Sequence, residues 1–153
     1  MVRASAGFTY LGVLFAVFIL GGGLALTGEV WHTAAARERD AQLLHAGNEY
    51  RKAIERYYLA GPRRYPPSLQ DLLKDPRHAG TVRHLRKLYA DPAGASGEWG
   101  LVRAPDGGIA GVHSLSEDKP LKSGGFAGRD RDFEGKSRYS EWRFVYVPPA
   151  QAR

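Results

Sequence analysis

The sequence predicts an α+β chain in which a long N-terminal helix packs on a small antiparallel β-sheet. Three observations predict it. Residues 8–27 are an unbroken apolar run without a charge. Leu43, Ala46, Gly47, Tyr50, Ala53, Ile54, Tyr57 and Tyr58 recur at three- and four-residue steps, the period of an amphipathic helix. Residues 99–103, 109–114 and 141–147 carry strand signals bounded by turn residues.

The apolar run comes first. Twenty helical residues span about 30 Å, the hydrocarbon thickness of a bilayer. Residues 8–27 therefore read as the transmembrane half of the helix. Residues 28–59 read as its amphipathic half, with Leu43, Tyr50, Ile54 and Tyr57 forming the helix–sheet core. As one helix of some fifty residues it would measure roughly 75 Å. Gly21-Gly22-Gly23 interrupts it, each glycine costing about 1 kcal/mol relative to Ala. Two readings of the triplet stay open: a flexible point, or close packing of helices through small residues. Trp31 suits a membrane interface, and Arg37-Glu38-Arg39-Asp40 a solvated surface. Ala60-Gly61-Pro62 should stop the helix.

Beyond the helix, Tyr65-Pro66-Pro67-Ser68 reads as a turn. Ser68 with Asp71 three residues later makes an approximate capping box for a short helix over 68–75. A second short helix is expected over 81–89, capped by Thr81 and ended at Asp91-Pro92. The sheet is expected within 99–147. Pro105-Asp106-Gly107 joins residues 99–103 and 109–114 as a hairpin, because Pro fixes one dihedral and Gly permits a positive one. Residues 116–138 are polar and Gly-rich, a long loop expected to be ordered only in part. In residues 141–147 Trp142, Phe144 and Tyr146 alternate with Arg143, Val145 and Val147, a half-buried strand.

The net charge is +6 and the pI about 9.7. These values suit nucleic acid, anionic lipid or an acidic partner. The basic residues read as spread out, a solvated surface, and nucleic acid is not an expected partner. There is no Cys, which excludes disulfides and thiolate metal sites. The five histidines, His32, His45, His78, His84 and His113, form no H-x-x-x-H pair. No nucleophile elbow or phosphate loop is present. The residues argue for no enzyme and for no cofactor.

The N-terminal junction is more specific. A polar leader, residues 1–7, ends in Gly7, and Phe8-Thr9 then opens the apolar helix. This resembles the processing site of the type IV pilin-like superfamily, which includes the pseudopilins of type II secretion systems. The resemblance implies cleavage between Gly7 and Phe8 by a prepilin peptidase and methylation of the new terminus. It extends to YPPSLQDLL at residues 65–73 and LYADP at residues 88–92, segments similar to those that follow the long helix in pseudopilins. A conventional secretory signal with a cleavage site at Ala34-Ala35-Ala36 fits less well, because the apolar run exceeds the usual 7–15 residues. Two positions depart from the family. Glu is usual at the fifth mature position, where this chain has Gly12. Pro is often found at the twenty-second, where it has Glu29.

Asp130, Asp132 and Glu134 alternate, and alternating oxygens can converge on calcium. The resemblance adds weight, since major pseudopilins carry calcium in a C-terminal loop. Arg129 and Arg131 oppose it, and a surface cluster of ion pairs is the competing reading. No other metal is expected.

The expected function is that of a pseudopilin-like subunit, minor rather than major, of a type II secretion or related pilus-like filament. It would act by assembly through Phe8, Gly12, Leu14, Phe15, Phe18 and their neighbours. Its partners would be other pseudopilins or pilins, the prepilin peptidase, an inner-membrane secretion platform and the lipid bilayer. The expected location is the inner membrane, crossed once, with the C-terminal domain periplasmic. Two alternatives come from other classes: a minor pilin for DNA uptake or adhesion, and a membrane-anchored periplasmic enzyme or chaperone.

Overall fold

The structure is a computed structural model that describes residues 6–149, with side chains described over residues 10–19 and 33–149. Its elements are α1 (Ala6–Leu59), β1 (Trp99–Arg103), β2 (Ile109–Ser114) and β3 (Arg143–Val145). Three short 3-10 turns, Gln70–Leu72, Gly128–Phe133 and Tyr139–Glu141, complete the described elements. The chain divides into two compact units, Met1–Ala36 and Arg37–Arg153.

In the first unit the backbone is helical from Ala6. Among the described residues, no helix is long and apolar enough to cross a membrane. Described apolar side chains run from Tyr10 to Ile19. Those ten residues span about 15 Å, half of a hydrocarbon core of about 30 Å. This corrects the predicted pilin-like fold class, which placed a transmembrane helix at its head. It corrects equally the predicted single-pass placement in the inner membrane with a periplasmic C-terminal domain.

The second unit has the core. Leu43, Ala46, Tyr50, Ala53, Ile54 and Tyr57 are buried along one face of α1. All but Ala46 join a core with Ile109, Val112, Phe133, Tyr139, Trp142 and Phe144. The sheet order is β1-β2-β3 with both pairings antiparallel. In the hairpin Trp99 faces Ser114 and Leu101 faces Val112, with an irregularity at Val102/Arg103. Gly107, at φ 84°, makes the turn after Pro105-Asp106, a dihedral that glycine adopts without steric cost. Across β2 and β3, Val112 faces Phe144.

Several expected elements differ. The helix predicted over 68–75 is the 3-10 turn Gln70–Leu72. The helix predicted over 81–89 is absent, because its backbone bonds elsewhere. His84 and Leu85 N–H both donate to the Leu72 carbonyl at 2.8 Å, and Asp75 N–H donates to the Val82 carbonyl. The last strand is only Arg143–Val145. Glu141 closes a 3-10 turn before it, and Tyr146 N–H donates to the Ala110 carbonyl beyond it.

Candidate functional site

The candidate surface is the described part of α1 in the first unit. Tyr10, Leu11, Val13, Leu14, Phe15, Val17, Phe18 and Ile19 are each between 56% and 79% exposed. At about 100° per residue these eight spread over roughly 240° of the helix circumference. A two-helix seam needs only a narrow stripe of apolar positions. Gly12 and Ala16 occupy the remaining flank, one turn apart, and a Cβ on Gly12 would meet nothing within 4 Å. A helix that is apolar nearly all round must be enclosed on several sides to leave water.

The second unit is organised by buried aspartates. Asp75 is 1% exposed. It takes Arg77 Nε at 2.8 Å, Arg77 Nη2 at 2.5 Å and His84 Nε2 at 3.0 Å. His78 Nδ1 lies 3.3 Å from the same carboxylate. Arg77 also donates to the Tyr57 carbonyl and lies 3.6 Å over the Tyr57 ring. The Arg77 hydrogen bonds, aided by that from His84, hold the Asp75 carboxyl well below the usual carboxylate range.

Asp40 accepts from Tyr139 Oη at 2.5 Å and from Lys122 N–H at 2.7 Å. Burial, with Asp40 beside it, pushes the Tyr139 phenol well up. Asp130 accepts from Arg51 Nη1 at 2.7 Å and from Asn48 Nδ2 at 2.8 Å. Asp91 accepts from Ser114 Oγ at 2.7 Å. His113 turns its Nδ1 to the Ser114 carbonyl at 2.8 Å, so Ser114, His113 and Asp91 form no proton relay. No family model, curated protein or solved structure matches this chain.

The sequence-predicted residues fall as follows. Leu14, Phe15 and Phe18 are 56%, 66% and 79% exposed. Gly7 and Phe8 belong to the helical backbone, and their side chains lie outside the described ones, as does Trp31. The leader residues 1–5 lie outside the described residues altogether. Leu43, Tyr50 and Ile54 are at most 1% exposed and Tyr57 is 3% exposed.

The calcium candidates are not brought together as a ligand set. Asp130 is buried with both oxygens committed to Arg51 and Asn48, while Asp132 and Glu134 are exposed. Among the described residues no three His, Asp or Glu side chains could hold a metal ion. Sequence reasoning missed Asp40, Asp75 and Asp91 as interior groups. Their partners lie as far as 99 residues away, beyond any periodic signal. Asp75-x-Arg77, two opposite charges beside Pro76, is the one local hint.

Proposed function

We propose that this chain is a structural subunit acting by assembly through the N-terminal part of α1, in the manner of a pseudopilin. The machine would be a type II secretion system or a related pilus-like filament. The observation that carries the reading is the nearly all-round exposure of eight large apolar side chains between Tyr10 and Ile19. Covering four of them at about 2 kcal/mol each yields roughly 8 kcal/mol. That only matches the roughly 4–15 kcal/mol lost in freedom on association. Stable burial therefore calls for neighbours on more than one side, which a filament core supplies and a simple dimer does not. The neighbours are the corresponding helices of other subunits, and the Gly7-Phe8 junction supports cleavage there by a prepilin peptidase.

The absence of Cys makes the test clean. A single Cys at Phe18, in the chain co-expressed with the other subunits of its machine, should cross-link to a neighbouring helix. Phe15→Asp with Phe18→Asp should abolish the product and leave the second unit folded. No cross-link from any position between 10 and 19, and unchanged sedimentation of the double variant, would overturn the proposal.

A further inference from the structure

Residues 56–90 carry eight Lys and Arg against Asp71 and Asp75, a surplus of six. The whole chain has 22 against 16, the same surplus. Elsewhere the two signs are equal in number, so the formal surplus falls in this segment. Of the two acids, Asp71 is half-buried and Asp75 buried. Asp71 accepts from Ser68 N–H, and Asp75 is buried beneath Arg77 and His84.

Six of the cations, Arg63, Arg64, Lys74, Arg83, Arg86 and Lys87, are exposed. None of the six forms an ion pair among the described residues. The contacts around Asp75 gather five of the six, while Lys87 lies over the Tyr89 ring, which packs on Tyr50. The bonds from His84 and Leu85 to Leu72, and from Asp75 to Val82, place Lys74 beside the stretch bearing Arg83 and Arg86. Arg77 ties those two segments to the Tyr57 carbonyl near the end of α1. A Cβ on Gly61 would overlap the Arg77 guanidinium, so the Arg63-Arg64 turn lies at the same end. Arg63 itself is left-handed at φ 55°, a conformation that costs a non-glycine residue about 1 kcal/mol or more. The fold tolerates that strain at a residue that presents charge to solvent.

We infer that this end of the second unit binds the phosphate backbone of nucleic acid, without regard to sequence. Four of the five gathered cations are Arg, whose planar fork meets phosphate oxygens two at a time. A lipid surface would be gripped by large apolar side chains set among the cations. Here Tyr57, Tyr58, Tyr65 and Tyr89 are buried or half-buried, and Tyr65 spends its hydroxyl on the Tyr146 carbonyl. Leu59 and Leu88 are the large apolar residues of the segment that stay exposed.

The test uses the full chain and a fluorescent mixed-sequence DNA duplex, read by anisotropy. Five neutralised phosphates give a slope of about −4.5 in log affinity against log salt, or a loss of roughly 500-fold between about 50 and 200 mM. R63Q/R64Q and R83Q/R86Q should each weaken binding at least tenfold and flatten the slope by about 2. The control K119Q/K136Q, which removes equal charge elsewhere, should change affinity less than threefold. Equal losses in the control would reduce the effect to net charge and overturn the proposal. So would tighter binding to phosphatidylglycerol vesicles than to the duplex, lost on Leu59→Ser and Leu88→Ser.

Discussion

Gly47 of α1 lies directly beneath the Phe144 ring of β3, so close that any Cβ at position 47 would overlap it. Phe144 is 0% exposed. It is hemmed in by Trp99, by Phe133 and by the Arg51 guanidinium. A glycine within a helix therefore sets how near the sheet can come.

Gly47→Ala puts two effects in opposition. Ala favours the helix by about 1 kcal/mol, while an added methyl in a filled core costs about 1–3 kcal/mol. Because the ring has no room to retreat, the variant should be less stable, by up to about 2 kcal/mol in urea denaturation. Stability at or above wild type would show that Phe144 can repack.

Asp75 gives the fold an acid dependence. Its folded-state pKa is depressed, against an unfolded value near 4. The stability it contributes is present above about pH 4 and is lost as pH falls through the folded value. Asp75→Asn should cost roughly 3–5 kcal/mol at neutral pH, since Arg77 loses its buried counter-charge. The gap in melting temperature between wild type and variant should narrow as pH is lowered below 4. A gap that stays constant down to strong acid would refute this.

Tyr139 gives the opposite sign. Burial and Asp40 raise its pKa, so its contribution is present below about pH 10 and lost as pH rises towards the folded value. Tyr139→Phe leaves buried Asp40 with Lys122 N–H as its remaining partner, at a cost of about 1–3 kcal/mol. Chemical denaturation at pH 7 and again above pH 10 checks both halves, the difference shrinking at the higher pH.

Gly12 bears on the proposed assembly. Space is open at its Cβ position, so a larger side chain there is accommodated. In the family that the junction resembles, this position carries the Glu that answers a neighbour's terminal amine. Gly12→Glu should raise self-association several-fold, measured by cross-linking between introduced cysteines. The unaltered protein, expressed alone with a prepilin peptidase, should give no long fibres in electron micrographs. Abundant fibres would rule out a minor-subunit role.

How far the sequence disclosed this molecule depends on the range over which each signal acts. Leu43, Tyr50, Ile54 and Tyr57 stand at helical spacing, and their burial follows from local period alone. Pro105-Asp106-Gly107 marks the β1–β2 turn for an equally local reason. The stretch over 81–89 has helical spacing too, yet its amides bond to Leu72, a competitor that no window of neighbouring residues contains. Phe133 sits in a polar, Gly-rich stretch and still stacks on Trp142 at 5.5 Å. Asp40 and Asp130 read as surface charge because their donors, Tyr139 and Arg51, come from distant parts of the chain. The exposed surface between Tyr10 and Ile19 was legible as apolar, but hydropathy does not distinguish lipid from protein as its cover.

The connection between β2 and β3 is fastened to α1 at two places, Lys122 N–H on Asp40 and Asp130 on Arg51 and Asn48. Ser123, Gly124 and Gly125 are exposed between the fastenings. A protease that nicks the chain there would leave two fragments that do not separate, since each half keeps its own grip on the helix. The nicked protein would migrate intact on a native gel and come apart only in denaturant. A peptide epitope spliced in at Gly124 would stand clear of the core, a handle for purification that leaves both grips in place.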